Sequence, residues 1–369
     1  MLTSAVIHID RFLRNFKAVK DHVGQTRICV PVKADAYGHG AVQIAKASLQ
    51  AGAYCLGVST VYEGQELRKA GIKSPILLFS QCHPDEIPMV IKEELTPFIS
   101  DEEFAAALNE QAQKKVPVHI KIDTGMGRIG CRTEDALPLA RFISSCAGLE
   151  LAGTATHFAA ADSAQELDIA YTMEQLACFK AAVEQIRSSG INPGIVHAAN
   201  SGAIIQHPDS RLDMVRPGIL LYGYKTVNGE FPEVEPVLEL KTTVSLIKKI
   251  KKGETVSYGR TWTAREDTFI AILPIGYADG LPRIAGNKWQ VKIGTNAYPL
   301  AGRVTMDLCC IDLGPQPKVR RWEEAIVIDN SQNNAAKLAS AAGTIPYEIT
   351  CNISKRVPRI YIGDVASSA

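Results

Sequence analysis

The sequence predicts an α/β fold, a (β/α)8 TIM-type barrel followed by a mainly β C-terminal domain. Its 369 residues are too many for one small core and fit two domains. From residue 28 to about residue 223, short apolar segments alternate with amphipathic helical ones, which is typical of an α/β barrel. After Tyr224 the pattern changes to alternating segments divided by Gly, Asn and Pro turns, which predicts a β domain.

Eight strands and the helices between them support the barrel. We expect strands at 28–34, 54–60, 75–80, 95–100, 116–123, 149–158, 194–200 and 214–220. The helical patterns cover 40–51, 61–70, 84–93, 102–114, 134–145 and 165–189. Asp101, Thr133 and Ser163 are suited to cap three of these helices. A doubly wound open sheet is the alternative, but no Gly-x-Gly-x-x-Gly follows the first strand, so we predict the barrel.

The second domain follows a turn-rich segment at 225–236, which is typical of a linker. Alternating segments predict strands at 237–250, 267–273, 289–293, 305–312 and 324–328, and helical patterns cover 334–341 and 346–353. We place the barrel domain at residues 1–230 and the C-terminal domain at residues 231–369.

Composition excludes several classes of protein and partner. The formal net charge is +1, so no strong field attracts nucleic acid or an acidic membrane. No apolar run reaches the roughly 18 residues of a membrane span, and the N-terminus lacks the pattern of a signal peptide. Nine irregularly spaced cysteines without a Cys-x-x-Cys pair are typical of reduced thiols. We therefore expect a cytoplasmic protein that acts on a small molecule and uses no metal.

Candidate site residues follow from the barrel, because such folds place their active sites at the C-terminal ends of the strands. Lys33 ends the first strand and would therefore point into the barrel mouth. Partial desolvation there lowers the pKa of a lysine and frees its amine for Schiff-base chemistry. The alternative is a structural lysine paired with a neighbouring carboxylate.

The seventh and eighth strands end in residues suited to a phosphate. Asn200 or Ser201 can cap the helix after the seventh strand. Backbone donors for an anion are available at Ser201, Gly218 and Ile219, in the loops where barrels often bind phosphate. Gly202 and Gly218 could equally be ordinary turn glycines. A lysine that faces such a cradle suggests an aldehyde cofactor with a phosphate tail, pyridoxal phosphate.

Arg216 lies two residues before Gly218 and should reach the ring of that cofactor. An arginine, whose pKa exceeds about 12, would leave the ring nitrogen unprotonated and make the ring a weaker electron sink. The chemistry that remains is removal and return of the proton at Cα, which is racemisation. The alternative is a salt bridge between Arg216 and Asp213.

Racemisation needs a base on each face of the substrate. Lys33 serves one face, and the C-terminal domain, which contains no histidine, offers Tyr258 for the other. A tyrosine of pKa about 10 is a poor base at neutral pH, but cationic groups such as His157 and Arg216 could lower that pKa or relay the proton. The alternative is a core tyrosine of the β domain.

A series of motifs along the chain resembles the alanine racemase family. The segment 32–40, Val-Lys-Ala-Asp-Ala-Tyr-Gly-His-Gly, is similar to the family's pyridoxal attachment signature. The other matching segments lie at 122–130, 156–158, 199–202, 215–219, 256–259, 274–280, 302–307 and 346–349. One such motif would be a weak signal, but together they cover essentially the whole chain, which is identified on this basis as a member of the family.

The resemblance implies a homodimer with shared active sites that interconverts L-alanine and D-alanine and supplies D-alanine for peptidoglycan. Lys33 would be the base for the D enantiomer, and the partner subunit's Tyr258 the base for the L enantiomer. Arg216 would meet the pyridine nitrogen. Arg128 and the partner's Met306 would bind the substrate carboxylate. Further implied contacts are those to the cofactor at Tyr37, His157, Asn200, Ser201, Gly218, Ile219 and Tyr347, and one to the substrate at Asp307.

Lys121 lies seven residues before Arg128, where members of the family can carry a carbamylated lysine that orients the arginine. Carbamylation turns a cation into an anion that accepts hydrogen bonds from Arg128. The alternative is an unmodified Lys121 paired with an acid.

Other functions remain open at this point. A racemase could accept serine or a broader range of amino acids. A related fold-type III pyridoxal decarboxylase or aldolase would share the barrel. The decarboxylase would need an acidic group at the ring nitrogen, where this sequence offers Arg216. A metal-dependent aldolase would need ligands such as His and Cys in the C-terminal domain, which contains no histidine. A cofactor carrier would need only the barrel, which leaves Tyr258 and its domain unexplained.

Overall fold

The structure, a computed structural model, describes residues 2–227 and 229–363. It contains a barrel of parallel strands with helices around it, and a mainly β part formed by further sheets. The predicted fold class is confirmed. Before the barrel the chain forms β1 (Ser4–His8), whose partners are described below, and the helix α1 (Ile9–Val23), neither of which was predicted.

The barrel strands follow one another in sequence order, and each of the eight predicted strands is present in shorter form. They are β2 (Arg27–Pro31), β3 (Cys55–Val58), β4 (Ile76–Leu78), β5 (Thr96–Ile99), β6 (Val116–Lys121), β7 (Leu149–Ala155), β8 (Ile195–His197) and β9 (Met214–Val215). Their burial is nearly continuous, as expected for strands covered on both faces.

The last strand closes the barrel. β9 pairs in parallel with β2 through Met214 and Val215. On its other side, the backbone N–H groups of Asp213 and Arg216 donate to the carbonyls of Val196 and Ala199, at 3.0 and 2.9 Å. Because these bonds join β9 to both neighbours, the strand ends form a ring around one mouth.

The helices of the barrel lie close to their predicted positions. The first segment after β2 is a short left-handed turn, α2 (Lys33–Gly38). The right-handed helices are α3 (Ala41–Gln50), α4 (Val61–Lys69), α5 (Ile87–Lys92), α6 (Glu102–Gln111), α7 (Ala136–Ser145), α8 (Glu166–Ser188) and α9 (Ser201–Gln206).

Two of the predicted helix caps are present and two are wrong. Asp101 accepts a hydrogen bond from the Phe104 N–H at 2.8 Å, and Asn200 caps α9. The observed N-cap residues are Asp135 and Gln165, so Thr133 and Ser163 lie too early in the chain to cap these helices. Each makes a local side-chain bond instead. The Thr133 hydroxyl donates to Glu134, and the Ser163 hydroxyl donates to Asp168.

The mainly β part has strands in each predicted segment together with short unpredicted ones, but the segment 237–250 is divided into two strands that belong to different sheets. The strands are β10 (Leu238–Thr243), β11 (Leu246–Ile250), β12 (Thr255–Val256), β13 (Trp262–Thr263), β14 (Thr268–Leu273), β15 (Gln290–Ile293), β16 (Asn296–Pro299), β17 (Cys309–Gly314), β18 (Glu324–Ile328) and β19 (Arg359–Ile362). The predicted helices are α10 (Ala335–Ala342) and α11 (Pro346–Cys351).

The N-terminal strand belongs to the second sheet. β1 lies between β10 and β19, antiparallel to the first and parallel to the second. This short strand therefore has hydrogen-bonded partners on both edges. The side chains of Ala5 and Ile7 are fully buried there. The expected domain limits assigned residues 4–8 to the barrel, whereas their pairing joins them to the C-terminal sheet. The division near residue 230 itself stays a prediction.

Two kinds of feature are absent from the described residues. Within residues 2–227 and 229–363, no helix is long and apolar enough to cross a membrane. The same residues contain no group of three or more His, Cys, Asp or Glu side chains that could hold a metal ion. The nine cysteines are free thiols.

Candidate active site

A cavity of about 350 Å³ opens at the C-terminal ends of the barrel strands. Its volume is in the usual range for cofactor and small-ligand sites. Ten of the predicted site residues line it, namely Lys33, Tyr37, Lys121, Arg128, His157, Asn200, Ser201, Arg216, Gly218 and Tyr347. The strand ends therefore bring together residues that are more than 300 positions apart in the chain.

Lys33 extends from the end of β2 into this cavity. Its pKa is below the usual value for lysine, first because the amine is largely buried and then because Arg128 lies nearby. Glu63 acts in the opposite direction on the pKa. The amine therefore loses its proton more readily than a surface lysine, which a nucleophile or a base requires.

The backbone after Lys33 is left-handed. Ala34, Asp35, Ala36 and Tyr37 have φ angles of 52°, 53°, 52° and 56°. Such a conformation costs roughly 1–2 kcal/mol for each residue with a Cβ, so it persists only where surrounding contacts hold it. Gly38 continues the turn with φ at 83°, and a Cβ there would lie 2.0 Å from the Thr350 carbonyl oxygen of α11. Helix α11, which carries Tyr347, therefore packs directly on the turn that follows Lys33.

Arg216 occupies the floor of the cavity with a buried guanidinium. Its Nη1 donates to His197 Nδ1 at 2.7 Å. Its Nη2 donates to the carbonyls of Thr156 and Ala198, at 2.7 and 2.9 Å, and lies 3.3 Å from His157 Nδ1. Burial lowers the pKa of Arg216 to about 10. The guanidinium is thus held on several sides, which fixes its plane.

The alternative partner for Arg216, Asp213, is engaged elsewhere. Its carboxylate accepts a hydrogen bond from the Val196 N–H at 2.8 Å. It therefore links β8 to β9 at the strand level.

The neighbours of Arg216 form a chain of neutral histidines. Arginine only donates, so His197 Nδ1 accepts and the ring carries its hydrogen on Nε2. That Nε2 lies 2.8 Å from His119 Nδ1 and donates to it. Burial, and then the charge of Arg216, lower the pKa of His119 to about 3 and hold that of His197 well below 6.5. Burial, followed by the charges of Lys121 and Arg216, likewise holds the pKa of His157 well below 6.5.

Two tyrosines and a serine surround the Gly218 end of the cavity. Ser201 Oγ accepts from the Gly218 N–H at 2.8 Å. A Cβ built on Gly218 would lie 2.8 Å from Tyr37 Oη and 3.8 Å from Ser201 Oγ, so the bare glycine leaves the space between these hydroxyls open. The rings of Tyr37 and Tyr347 lie 5.8 Å apart. Burial raises the pKa of both tyrosines, which keeps them protonated as hydroxyl donors. Ile219 is fully buried beside this end.

Lys121 and Arg128 also line the cavity. Lys121 is 7% exposed, and its Nζ lies 5.8 Å from the centre of the Phe98 ring. Burial, followed by the charges of Arg216 and Arg128, lowers the pKa of Lys121 well below its usual value. The nearby acid, Asp123, acts only weakly on it.

The carboxylate of Asp123 organises the loop that carries Arg128. It accepts backbone hydrogen bonds from Gly125, Met126, Gly127 and Arg128, at 2.8 to 3.1 Å. Tyr171 of α8 donates to the Gly125 carbonyl at 2.8 Å and braces the loop from outside. Arg128 is therefore presented by a loop with a fixed backbone.

Besides the buried Ile219, three predicted site residues do not line the cavity of this single chain. Tyr258 is 71% exposed and Met306 is 53% exposed. Asp307 accepts a hydrogen bond from Arg356 Nη2 at 2.8 Å. Their placement is that of surface groups of the C-terminal part, so a role beside Lys33 requires a second subunit.

Sequence reasoning missed three polar residues around the cavity. His119 and Lys121 alternate on β6 and so face the same side, a pattern that could have placed His119 in the barrel interior. His197 is the last residue of β8, and a polar residue at a strand end is the signal that could have placed it near the cavity. Glu63 gave no such signal, because it lies on α4 and its contacts depend on the folded backbone.

Comparisons with known proteins decide the family. Family models described as alanine racemase, N-terminal domain, and alanine racemase, C-terminal domain, match residues 7–226 and 237–361. The chain belongs to the alanine racemase family. A curated alanine racemase of Treponema denticola is 49% identical to it, over 98% of this chain and 98% of that protein. The predicted family and the predicted enzyme class, an isomerase, are thereby confirmed.

Solved structures of the same family are similar over nearly the whole chain. Alanine racemase of Clostridium difficile 630 has a TM-score of 0.93 at 35% identity, covering 98% of this chain and 96% of that one. Alanine racemase from Bacillus anthracis with bound L-Ala-P has a TM-score of 0.91 at 32% identity, covering 98% and 95%. Both the barrel and the C-terminal part therefore share the fold of alanine racemases.

Proposed function

We propose that the chain interconverts L-alanine and D-alanine with pyridoxal phosphate bound in the cavity at the barrel mouth. The observation that carries this proposal is the position of Lys33. A lysine of lowered pKa shares one cavity with the hydroxyls of Tyr37 and Ser201 and with the buried cation Arg216.

The residues present fit pyridoxal phosphate. The space that Gly218 leaves open between the Tyr37 and Ser201 hydroxyls suits a phosphate, together with the Tyr347 hydroxyl and the backbone N–H group of Ile219. The Gly218 N–H already donates to Ser201 Oγ, so Gly218 would contribute through the space it leaves open. His157 and Asn200 line the same cavity. When bound, the cofactor supplies an electron-withdrawing ring that weakens the Cα–H bond of the amino acid.

Arg216 decides which reaction this ring supports. Its guanidinium contacts histidine nitrogens and carbonyl oxygens, and these histidines stay neutral because their pKa values are lowered. A cation at the ring nitrogen disfavours protonation there, which a decarboxylase or aminotransferase would need. Proton exchange at Cα is therefore favoured over the alternative decarboxylase.

Two bases would act on opposite faces of the substrate. The Lys33 amine would remove or return the Cα proton on the face of the D enantiomer, and the partner subunit's Tyr258 would do so on the face of the L enantiomer. The high exposure of Tyr258 suits a residue that enters a neighbouring site. We therefore propose a homodimer whose two active sites each use residues of both chains.

The substrate carboxylate would be bound by Arg128, with help from the partner's Met306 and Asp307. A backbone N–H at Met306 is a suitable donor for a carboxylate. In this chain Asp307 holds Arg356, which suggests that it acts by fixing the loop around Met306.

Lys121 is proposed to be carbamylated. Reaction with CO₂ needs a neutral amine, and the lowered pKa of Lys121 provides one. The resulting anion would lie near Arg216 and Arg128, the two cations that now disfavour a charged Lys121. Intact-mass measurement of the native protein should show the added mass of one CO₂, and high-resolution density showing a bare amine would discard the carbamate.

The D-alanine produced would serve as a precursor of peptidoglycan, in the cytoplasm.

The test of the proposed function is an assay of Tyr258→Phe alongside the wild type. The variant should keep the absorbance of the bound cofactor but lose racemisation in both directions, because each direction needs one base to remove the proton and the other base to return one. The loss is measured with a coupled D-alanine assay started from L-alanine. Full racemisation by the variant would reject the two-base scheme. An assay with L-serine in parallel tests the broader substrate specificity. Release of CO₂ or an aldehyde as the main product would indicate the decarboxylase or the aldolase. A yellow protein that is inert toward alanine would indicate a cofactor carrier.

A further inference from the structure

The first peptide of the left-handed turn has an unusual partner. The N–H of Ala34, which follows Lys33 directly, donates to Glu63 Oε1 at 2.7 Å. Glu63 lies on α4, which follows the next barrel strand. A side chain from a neighbouring helix thus contacts the peptide that joins Lys33 to the turn.

The same carboxylate also holds the neighbouring strand end. Glu63 Oε2 accepts from the N–H groups of Ser59 and Thr60, at 2.7 and 3.1 Å. Ser59 lines the cavity beside Lys33. One ionised group therefore ties together the loops after β2 and β3, and charge-assisted bonds of this kind are stronger than bonds between neutral groups.

Other residues hold the far end of the turn. His39 Nδ1 lies 3.0 and 2.9 Å from the carbonyls of Ala36 and Tyr37. Arg359 Nε donates to the Gly38 carbonyl at 3.1 Å. The left-handed conformation is unfavourable for residues with a Cβ, so contacts must stabilise both ends of the turn. At the end next to Lys33, the carboxylate of Glu63 makes such a contact.

We propose that Glu63 is a positioning residue for Lys33, because its carboxylate fixes the peptide between Lys33 and Ala34 and so the direction in which the lysine enters the cavity. The charge of Glu63 also opposes the fall in the Lys33 pKa caused by burial. This inference rests on the proposed role of Lys33, but the contact with Ala34 can be tested without assuming that role.

The experiment compares Glu63→Gln with Thr60→Ala in the holoenzyme. Thr60→Ala removes the hydroxyl that accepts the Glu63 N–H at 3.2 Å and leaves the carboxylate contacts in place, so it controls for a merely structural loss at the start of α4. The readouts are hydrogen exchange at the Ala34 amide, followed by mass spectrometry, the kcat and KM for alanine, and the melting temperature.

In Glu63→Gln we expect Ala34 to exchange at least about tenfold faster and kcat to fall by about tenfold to a hundredfold, with KM within about twofold. Thr60→Ala should lower the melting temperature and keep wild-type exchange at Ala34 and wild-type kcat. If Glu63→Gln does not fold, Glu63→Asp, which keeps the charge on a shorter side chain, should show the same changes to a smaller degree.

Unchanged exchange at Ala34 in the folded Glu63 variants would overturn the inference, as would an equal loss of kcat in Thr60→Ala. If the wild type does not racemise alanine, the proposed function is rejected. Faster exchange at Ala34 in Glu63→Gln would still support the Glu63 contact in that case. The two proposals can therefore fail separately.

Discussion

At the scale of single residues, one buried cation sets the state of the groups around it. Arg216 can only donate hydrogen bonds, so the histidines beside it must accept, and their tautomers follow from that requirement. The sequence predicted Arg216 because it lies at a strand end. It could not predict the chain through His197 to His119, because those two rings are 78 residues apart and meet only when the barrel closes.

The neutral histidines should make the protein sensitive to acid. A histidine whose pKa is lower in the folded chain binds its proton more weakly there, so stability is lost as pH falls from the unfolded pKa toward the folded one. Burial lowers the pKa of His39 from 6.5 to about 4 and that of His119 to about 3. Each contributes a loss on the order of 3 kcal/mol or more. Urea unfolding should therefore show falling stability from about pH 6.5 to about pH 4.

Matched variants separate these histidines from ordinary acid titration. His119→Gln should be less stable than the wild type near neutral pH but should lose less unfolding free energy on acidification, because glutamine does not bind a proton in the unfolded chain. His83, whose side chain is 70% exposed, provides the control, and His83→Gln should follow the wild-type slope. Parallel slopes for all three proteins would contradict the assignment of the acid sensitivity to the buried ring.

At the scale of elements, the strand ends were predictable and the turn after Lys33 was not. Apolar segments bounded by turn residues predicted every barrel strand, because burial on both faces leaves a direct trace in composition. Ala34, Asp35 and Tyr37 carry no comparable preference for a left-handed backbone. Their conformation is imposed by Glu63, Arg359 and α11, which are remote in sequence, so tertiary contacts override local propensity.

Gly38 should be far less tolerant of a side chain than a glycine of the same backbone geometry. Gly38 and Gly71 have φ angles of 83° and 84°. A Cβ on Gly38 would lie 2.0 Å from the Thr350 carbonyl oxygen, whereas a Cβ on Gly71 would meet nothing within 4 Å. Gly71→Ala should cost about 1–2 kcal/mol of unfolding free energy, and Gly38→Ala about 3 kcal/mol or more because helix α11 must move.

The movement of α11 gives this prediction a second readout. Tyr347 lies on α11 and lines the cavity, so Gly38→Ala should release the proposed pyridoxal phosphate more readily on dilution, measured by its absorbance. Gly71→Ala should retain the cofactor like the wild type. Equal unfolding free energies for the two variants would show that α11 yields at no cost.

At the scale of the whole molecule, composition and pattern predicted two parts but not how they are joined. β1 enters the C-terminal sheet between β10 and β19, so the first strand pairs with the last across nearly the full chain, as at Ala5 and Arg359. Short strands with distant partners leave little periodicity to detect. Arg359 of β19 also donates to the Gly38 carbonyl in the turn after Lys33, so the C-terminal sheet supports one edge of the candidate active site.

The exposure of Tyr258 leads to a prediction about the assembly. If each site combines Lys33 of one chain with the partner subunit's Tyr258, then Lys33→Ala and Tyr258→Phe are each inactive alone, because both directions of racemisation use both bases. Mixed dimers of the two variants contain one intact site. After random reassociation about half of the dimers are mixed, so about a quarter of the wild-type racemase activity should return.

The control is a mixture of Lys33→Ala with the double variant Lys33→Ala, Tyr258→Phe, whose mixed dimers contain no intact site. Activity should stay absent there, and native mass spectrometry of differently tagged chains should show that subunits have exchanged. Exchange without any recovery in the first mixture would mean that Tyr258 does not reach a neighbouring Lys33. Since Tyr258 also lies outside the cavity of its own chain, the second base would then have to be sought among the groups that line the cavity itself.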